Sequence, residues 1–151
     1  MWEVKFHDDF EPEFDALLQE VQDELLACAK VLEEKGPTLG RPTVDTLNNS
    51  KYANMKEIRF DAADGVWRVA FAFDPERCAV LLVAGDKSGV SERFFYNKLI
   101  RKADKRFSAY LESLKQSKEI VDDGQHSKGK NGGSAKGTAG KDRSKGRRAD
   151  R

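Results

Sequence analysis

Histidine and cysteine are nearly absent from this chain of 151 residues, with only His7, His126, Cys28 and Cys78. No CxxC pair occurs and His7 is the one histidine in the apolar part of the chain. These two facts exclude a Cys/His zinc site and argue against Ser/His/Asp hydrolysis. Cys28 sits in a helical apolar pattern and Cys78 beside an apolar strand, which suits two buried, reduced thiols. There is no Gly-rich phosphate loop and no DxD-type carboxylate pair on a strand, so the P-loop and two-metal routes to phosphate chemistry lack their residues. A basic start followed by an apolar run is also missing, as is any apolar stretch near the roughly 20 residues that span a bilayer. The expectation is a soluble, cytoplasmic protein with no metal, no cofactor and no membrane partner.

Large apolar residues are scarce at the end of the chain. Gly124 to Arg151 is almost entirely small, polar or cationic, too poor in apolar area to offset the entropy of ordering it. Two regions are therefore expected: a single folded domain over 1–117, large enough to hold one core, and a disordered Gly/Ser/Lys/Arg-rich tail over 118–151. The net charge of +1 conceals an asymmetry. Residues 124–151 carry a net +7 and residues 1–123 a net −6. Residues 1–50 have twelve acidic and four basic side chains, whereas residues 51–118 have fourteen basic and nine acidic. A polyanion is repelled by the first part and attracted by the rest.

Trp2 to Phe6 alternates as a short strand with one buried face. Asp8 or Asp9 then caps a helix whose first turns hold Glu11, Pro12, Glu13 and Asp15. Phe14, Leu17, Leu18, Val21, Leu25, Cys28 and Leu32 recur at helical spacing to about Glu34, where Gly36-Pro37 stops the run. Thr38 to Lys51, punctuated by Gly40 and Pro42, fits a short helix or an ordered loop. From Met55 the period becomes two. Three strands, Met55 to Phe60, Val66 to Phe73 and Cys78 to Ala84, are joined by short turns and predict an antiparallel meander. A Gly/Ser loop leads into a helix from about Arg93 to Gln116, with Phe95, Leu99, Ala103, Phe107, Tyr110 and Leu114 on one face. The fold class is α+β, an antiparallel sheet with N-terminal and C-terminal helices packed on it.

Three constellations carry possible chemistry. Arg59 and Arg68 lie on neighbouring strands, with Lys87 just past the third. If Ala62 to Gly65 forms a four-residue loop, Arg59 faces Arg68 on one side of the sheet; a five-residue loop sets Arg59 opposite Trp67 instead. Two cations gathered this way gain nothing unless carboxylates neutralise them or an anion binds between them. The alternative is that Arg59 pairs with Glu57 or Asp61 while Arg68 decorates a solvated face. Second, Lys98, Arg101, Lys102 and Lys105, with Arg106 beside them, form a helical stripe that is either a solubilising face or a track for a phosphate backbone running on from Lys87. Third, among Trp67, Phe94 and Tyr96, the expectation is that two are core and that Tyr96 is the exposed one. Arg, Lys and Tyr without metal suit RNA cleavage, in which the substrate's 2′-OH attacks the adjacent phosphate and the protein orients, relays protons and stabilises charge.

The run MKEIRF, turn, GVWRVAF, turn, AVLLVAGDKSG and FYNKLIRKADKRFSAYL resembles the phage-derived, HigB-like branch of the RelE/ParE toxin superfamily over residues 2 to 115. Its most specific parts are the Glu57-Ile58-Arg59 strand, the Trp67-Arg68-Val69 strand and Lys87. The resemblance implies a small RelE-like α+β fold and a type II toxin that cuts mRNA, commonly on the ribosome. It further implies that Arg59 and Arg68 stabilise the scissile phosphate, that Lys87 assists, and that the basic helix, with Lys56, holds RNA. The general base is left open, with Tyr96 and Lys56 as candidates. ParE-like gyrase inhibition and non-catalytic RNA or protein binding are the alternatives on the same fold. The implied partners are mRNA, the ribosome and a cognate antitoxin, expected to be of helix-turn-helix type.

Overall fold

The computed structural model describes residues 1–122, with side-chain surroundings as far as residue 118. The elements are β1 (Glu3–Phe6), α1 (Phe10–Asp15), α2 (Gln19–Lys35), a 3-10 turn (Gly36–Thr38), β2 (Val44–Thr46), β3 (Met55–Ala62), β4 (Gly65–Phe73), β5 (Cys78–Asp86) and α3 (Glu92–Asp122). The strands form one sheet in the order β1-β5-β4-β3-β2. The meander β2 to β5 is antiparallel as expected, and β1 adds a parallel edge on β5. That edge follows from the connection: α1 and α2 carry the chain from one side of the sheet to the other, and the meander walks back to β1.

The alternation along the strands sorts two cores. Ile58, Phe60, Val69, Phe71 and Leu81 meet Phe10, Phe14, Leu25 and Leu32 of α1 and α2 on one face. Met55, Ala70, Ala72, Val80 and Leu82 meet Phe95, Leu99, Ala103 and Phe107 of α3 on the other. Each fully buried large side chain contributes roughly 1.5–3 kcal/mol relative to exposure. The small residues Ala70 and Ala72 of β4 let α3 come close to the sheet.

The single helix expected from Asp9 to Glu34 is two helices. Leu18 takes an extended backbone (φ −57°, ψ 147°) and heads α2. The Gln22 side-chain amide donates to the carbonyls of Asp15 (3.2 Å) and Leu17 (2.9 Å), satisfying acceptors that the break frees. Apolar spacing alone does not show the break, because Phe14 and Val21 reach the same core on either side of it. Leu18, expected on the apolar face, is 65% exposed. The segment left open between Thr38 and Lys51 supplies the edge strand β2. Just before it, at the head of the 3-10 turn, Gly36 has φ +55°, and an added Cβ would lie 2.4 Å from the Trp2 indole. The last helix runs past Gln116 to Asp122, since no Gly or Pro interrupts the chain before Gly124, and Lys118 pairs with Glu76 (3.6 Å). The disordered tail expected from the sequence lies, beyond residue 122, outside the described residues.

Two contacts bind α3 to α1 and to the loop that leads into it. The Arg106 guanidinium donates to both carboxylate oxygens of Glu13 (3.0 and 2.6 Å) and to the Leu82 carbonyl (2.7 Å). His7 Nδ1 accepts from the Asp9 N–H (3.0 Å), so its proton sits on Nε2, which donates to the Arg106 carbonyl (3.1 Å). Both cysteines are free thiols. Cys78 is buried and Cys28 only half-buried, and burial pushes each up to about 11.

Candidate active site

The β3–β4 turn decides the site's geometry. Ala63 and Asp64 both have positive φ (51° and 63°), the two-residue turn whose twist matches a hairpin. Ala62 then pairs with Gly65 and Arg59 with Arg68, the register expected from a four-residue Ala62 to Gly65 loop. Arg59 shares the parity of Met55, and Arg68 that of Ala70, so both arginines face α3.

Glu57 stands between them. Its side chain is 4% exposed; Oε2 accepts from Arg59 Nη1 at 2.9 Å, and Oε1 lies 3.8 Å from Arg68 Nε with no hydrogen bond of its own. Arg59 thus pairs with Glu57, one of the alternatives open from sequence. The other half of that alternative is overturned, because Arg68 is 6% exposed rather than spread on a solvated face. Arg68 Nε donates to the Tyr96 hydroxyl (3.1 Å), and Nη1 donates to the Trp67 carbonyl (2.8 Å). Above them Lys87, fixed by its backbone N–H on the Val66 carbonyl (2.8 Å), pairs with Glu92 and lies 5.8 Å from the Tyr96 ring centroid.

Arg59, Lys87 and Tyr96 line a cleft of about 590 Å³, together with Glu57, Glu92, Arg41, Arg93 and Asn97 among others. Burial raises the Tyr96 phenol above its ordinary value, and the Glu57 carboxylate adds to this against the opposing Arg68. The phenol is therefore a protonated donor at neutral pH. Lys87 holds the Glu92 carboxyl below the usual range.

The remaining residues named from sequence are not gathered there. Lys56 shares the parity of Ile58 and lies on the opposite sheet face. Lys98 and Lys102 line a second groove on the other flank of α3. Arg101 and Lys105 are exposed, and the Arg106 guanidinium is taken up by Glu13. Phe94, expected in the core, is 62% exposed, because α3 turns Phe95 towards the sheet. Tyr96 is half-buried. Glu57 had been named as a possible partner of Arg59 and as part of the Glu57-Ile58-Arg59 strand, whereas Glu92, Arg41, Arg93 and Asn97 had not been singled out. Nothing local marked Arg41, which belongs to the segment left open.

A small α+β protein with a mixed sheet between two helical layers and a cationic cleft at the sheet's end is the class that this fold and site define. The chain matches the family described as phage derived protein Gp49-like over residues 12–108 and belongs to it. It is 44% identical over 100 residues to a Mycobacterium tuberculosis protein described as "Putative toxin HigB3", covering 66% of this chain and 85% of that protein. A second protein of that organism, "Putative toxin HigB2", is 39% identical over 105 residues, covering 69% of this chain and about half (52%) of that protein. The fold is also that of a mutant of the E. coli toxin RelE in the free state, with a TM-score of 0.52 at 14% identity, covering 70% of this chain and 96% of that one. The resemblance read from the strands and from Lys87 is borne out at the level of family and fold.

Proposed function

We propose that the protein is the toxin of a type II toxin–antitoxin module and that it cleaves mRNA, on the ribosome, through attack of the substrate's 2′-OH on the adjacent phosphate. The observation that carries this is the pair Arg59 and Arg68 on one face across one rung, with the Tyr96 hydroxyl held on Arg68. Similarity to two proteins described as toxins supports the module.

In this reading a phosphate enters the cleft and displaces Glu92 from Lys87, an exposed pair worth little. Arg59 and Lys87 contact the phosphate directly, and Arg68 holds Tyr96 and balances charge from beneath. The 2′-oxygen bonds to phosphorus as its proton passes to the Glu57 carboxylate, which lines the cleft beside Arg59. The bond to the 5′-oxygen breaks as Tyr96 gives that oxygen its proton, leaving a 2′,3′-cyclic phosphate and a 5′-hydroxyl.

The test is induced expression with mapping of mRNA 5′ ends. Codon-phased cuts are expected, and Arg59→Ala should reduce cleavage by roughly 10²–10³-fold, as for loss of one transition-state donor. Intact mRNA with trapped gyrase complexes overturns the proposal.

A further inference from the structure

The cations of α3 are divided between its two flanks. Arg93 and Asn97 face the cleft, whereas Lys98 and Lys102 line a separate groove of about 290 Å³ with Val83, Val90, Phe94, Leu99 and Asp86, whose carboxylate already accepts from the Val66 and Ser88 N–H groups and the Ser88 hydroxyl. Phe94 is 62% and Val90 41% exposed, and both rank among the exposed large apolar side chains of the described residues. Cleavage chemistry uses none of them. An aromatic and an aliphatic side chain turned to water beside two lysines form a surface that water solvates poorly and that a neutral partner satisfies only in part.

We propose that this groove docks the cognate antitoxin, through a short amphipathic segment whose apolar side chains pack on Phe94 and Val90 and whose carboxylates meet Lys98 and Lys102. The proposal rests on the toxin reading for the existence of that partner. Charge complementarity selects the occupant. The chain's own residues 124–151 carry a net +7 and are repelled by the two lysines, while an acidic, apolar segment is attracted. A groove of this size takes a few side chains rather than a folded domain, the geometry by which a helix or extended segment anchors in a groove. It also lies apart from the cleft, so docking here holds the antitoxin without occupying the phosphate site.

The full-length chain, Phe94→Asp and the double variant Lys98→Glu/Lys102→Glu are each titrated with the purified product of the adjacent open reading frame. The same variants are scored for toxicity with and without that product co-expressed. All these side chains stand at the surface, and thermal melting verifies that each variant is folded. Both variants are expected to lose on the order of tenfold or more in affinity, as for a central contact, and to stay toxic while escaping neutralisation. The proposal is overturned if the product does not bind the wild-type chain, or if both variants bind it as the wild type does. It is overturned equally if the variants lose RNA cleavage with partner affinity unchanged, or if they only dissociate a self-dimer. A wild-type chain that binds the product but cuts no RNA removes the nuclease reading and leaves the groove standing.

Discussion

Replacing Glu57 with Gln tests whether the arginine pair is built to hold an anion. The substitution keeps shape and one acceptor oxygen but removes the charge between Arg59 (2.9 Å) and Arg68 (3.8 Å). Removing one partner of a buried ion pair costs about 3–5 kcal/mol, because the other charge stays buried and uncompensated. Arg68 is in that position, with its side chain 7% exposed, whereas Arg59 at 25% retains some water. The lower end is therefore expected, about 3 kcal/mol, or roughly 10 °C in Tm for a domain of this size. Urea unfolding at neutral pH, followed by circular dichroism, measures it. Inorganic phosphate should then act unequally on the two proteins. In Glu57→Gln the anion also replaces the missing carboxylate, and at about ten times its Kd it restores about 1.4 kcal/mol, beyond what it gives the wild type at Arg59 and Lys87 alone. A loss below about 0.5 kcal/mol, within the range of ordinary surface substitutions, or equal phosphate stabilisation of both proteins, refutes this account of the site.

Two further outcomes follow from the same contacts. Tyr96→Phe keeps the ring beside Lys87 and removes the proton donor, so RNA cleavage should fall by roughly 10²–10⁴-fold, with about 1–3 kcal/mol of stability lost because the buried Arg68 Nε is left without its acceptor; full cleavage by this variant rules out the phenol as the acid. His7 is held below its ordinary value of 6.5 mainly by burial, against Asp9 and Asp8. The unfolded chain thus takes up the proton first, and stability is complete above about pH 6.5 and declines as pH falls through the lowered folded value. His7→Gln should flatten that decline in urea melts between about pH 7 and 5, and an unaltered slope assigns it to other groups.

Glu92 and Glu57 give the cleft a state in which every cation that the sequence marked as catalytic is already engaged. Arg59 and Arg68 share one buried carboxylate, and Lys87 holds one that is 70% exposed at its side chain. The two differ in what a substrate can displace. Glu92 is held at the surface and is readily released, whereas Glu57 is buried between the two guanidiniums and stays in place. Self-neutralisation of this kind keeps two guanidiniums close together without an anion present.

Much of the architecture was legible in the residues themselves. The switch from helical to two-residue period at Met55 marked the meander, the face from Phe95 to Phe107 marked the helix covering it, and Glu57-Ile58-Arg59, Trp67-Arg68-Val69 and Lys87 marked the family. These are local signals, carried by side-chain alternation that any strand or helix must obey. What the residues left open was set by the geometry of one turn and by contacts distant in sequence. Ala63 and Asp64 at positive φ chose the register that brings Arg59 onto Arg68. Leu18 broke one apolar run into two helices because packing on the sheet, rather than periodicity, determines where a helix bends. The rotation of α3 buried Phe95 and exposed Phe94, and it sent Lys98 and Lys102 to the flank away from the cleft. Composition sets how many cations a chain carries, but only the packed orientation of a helix against its sheet decides which of them meet.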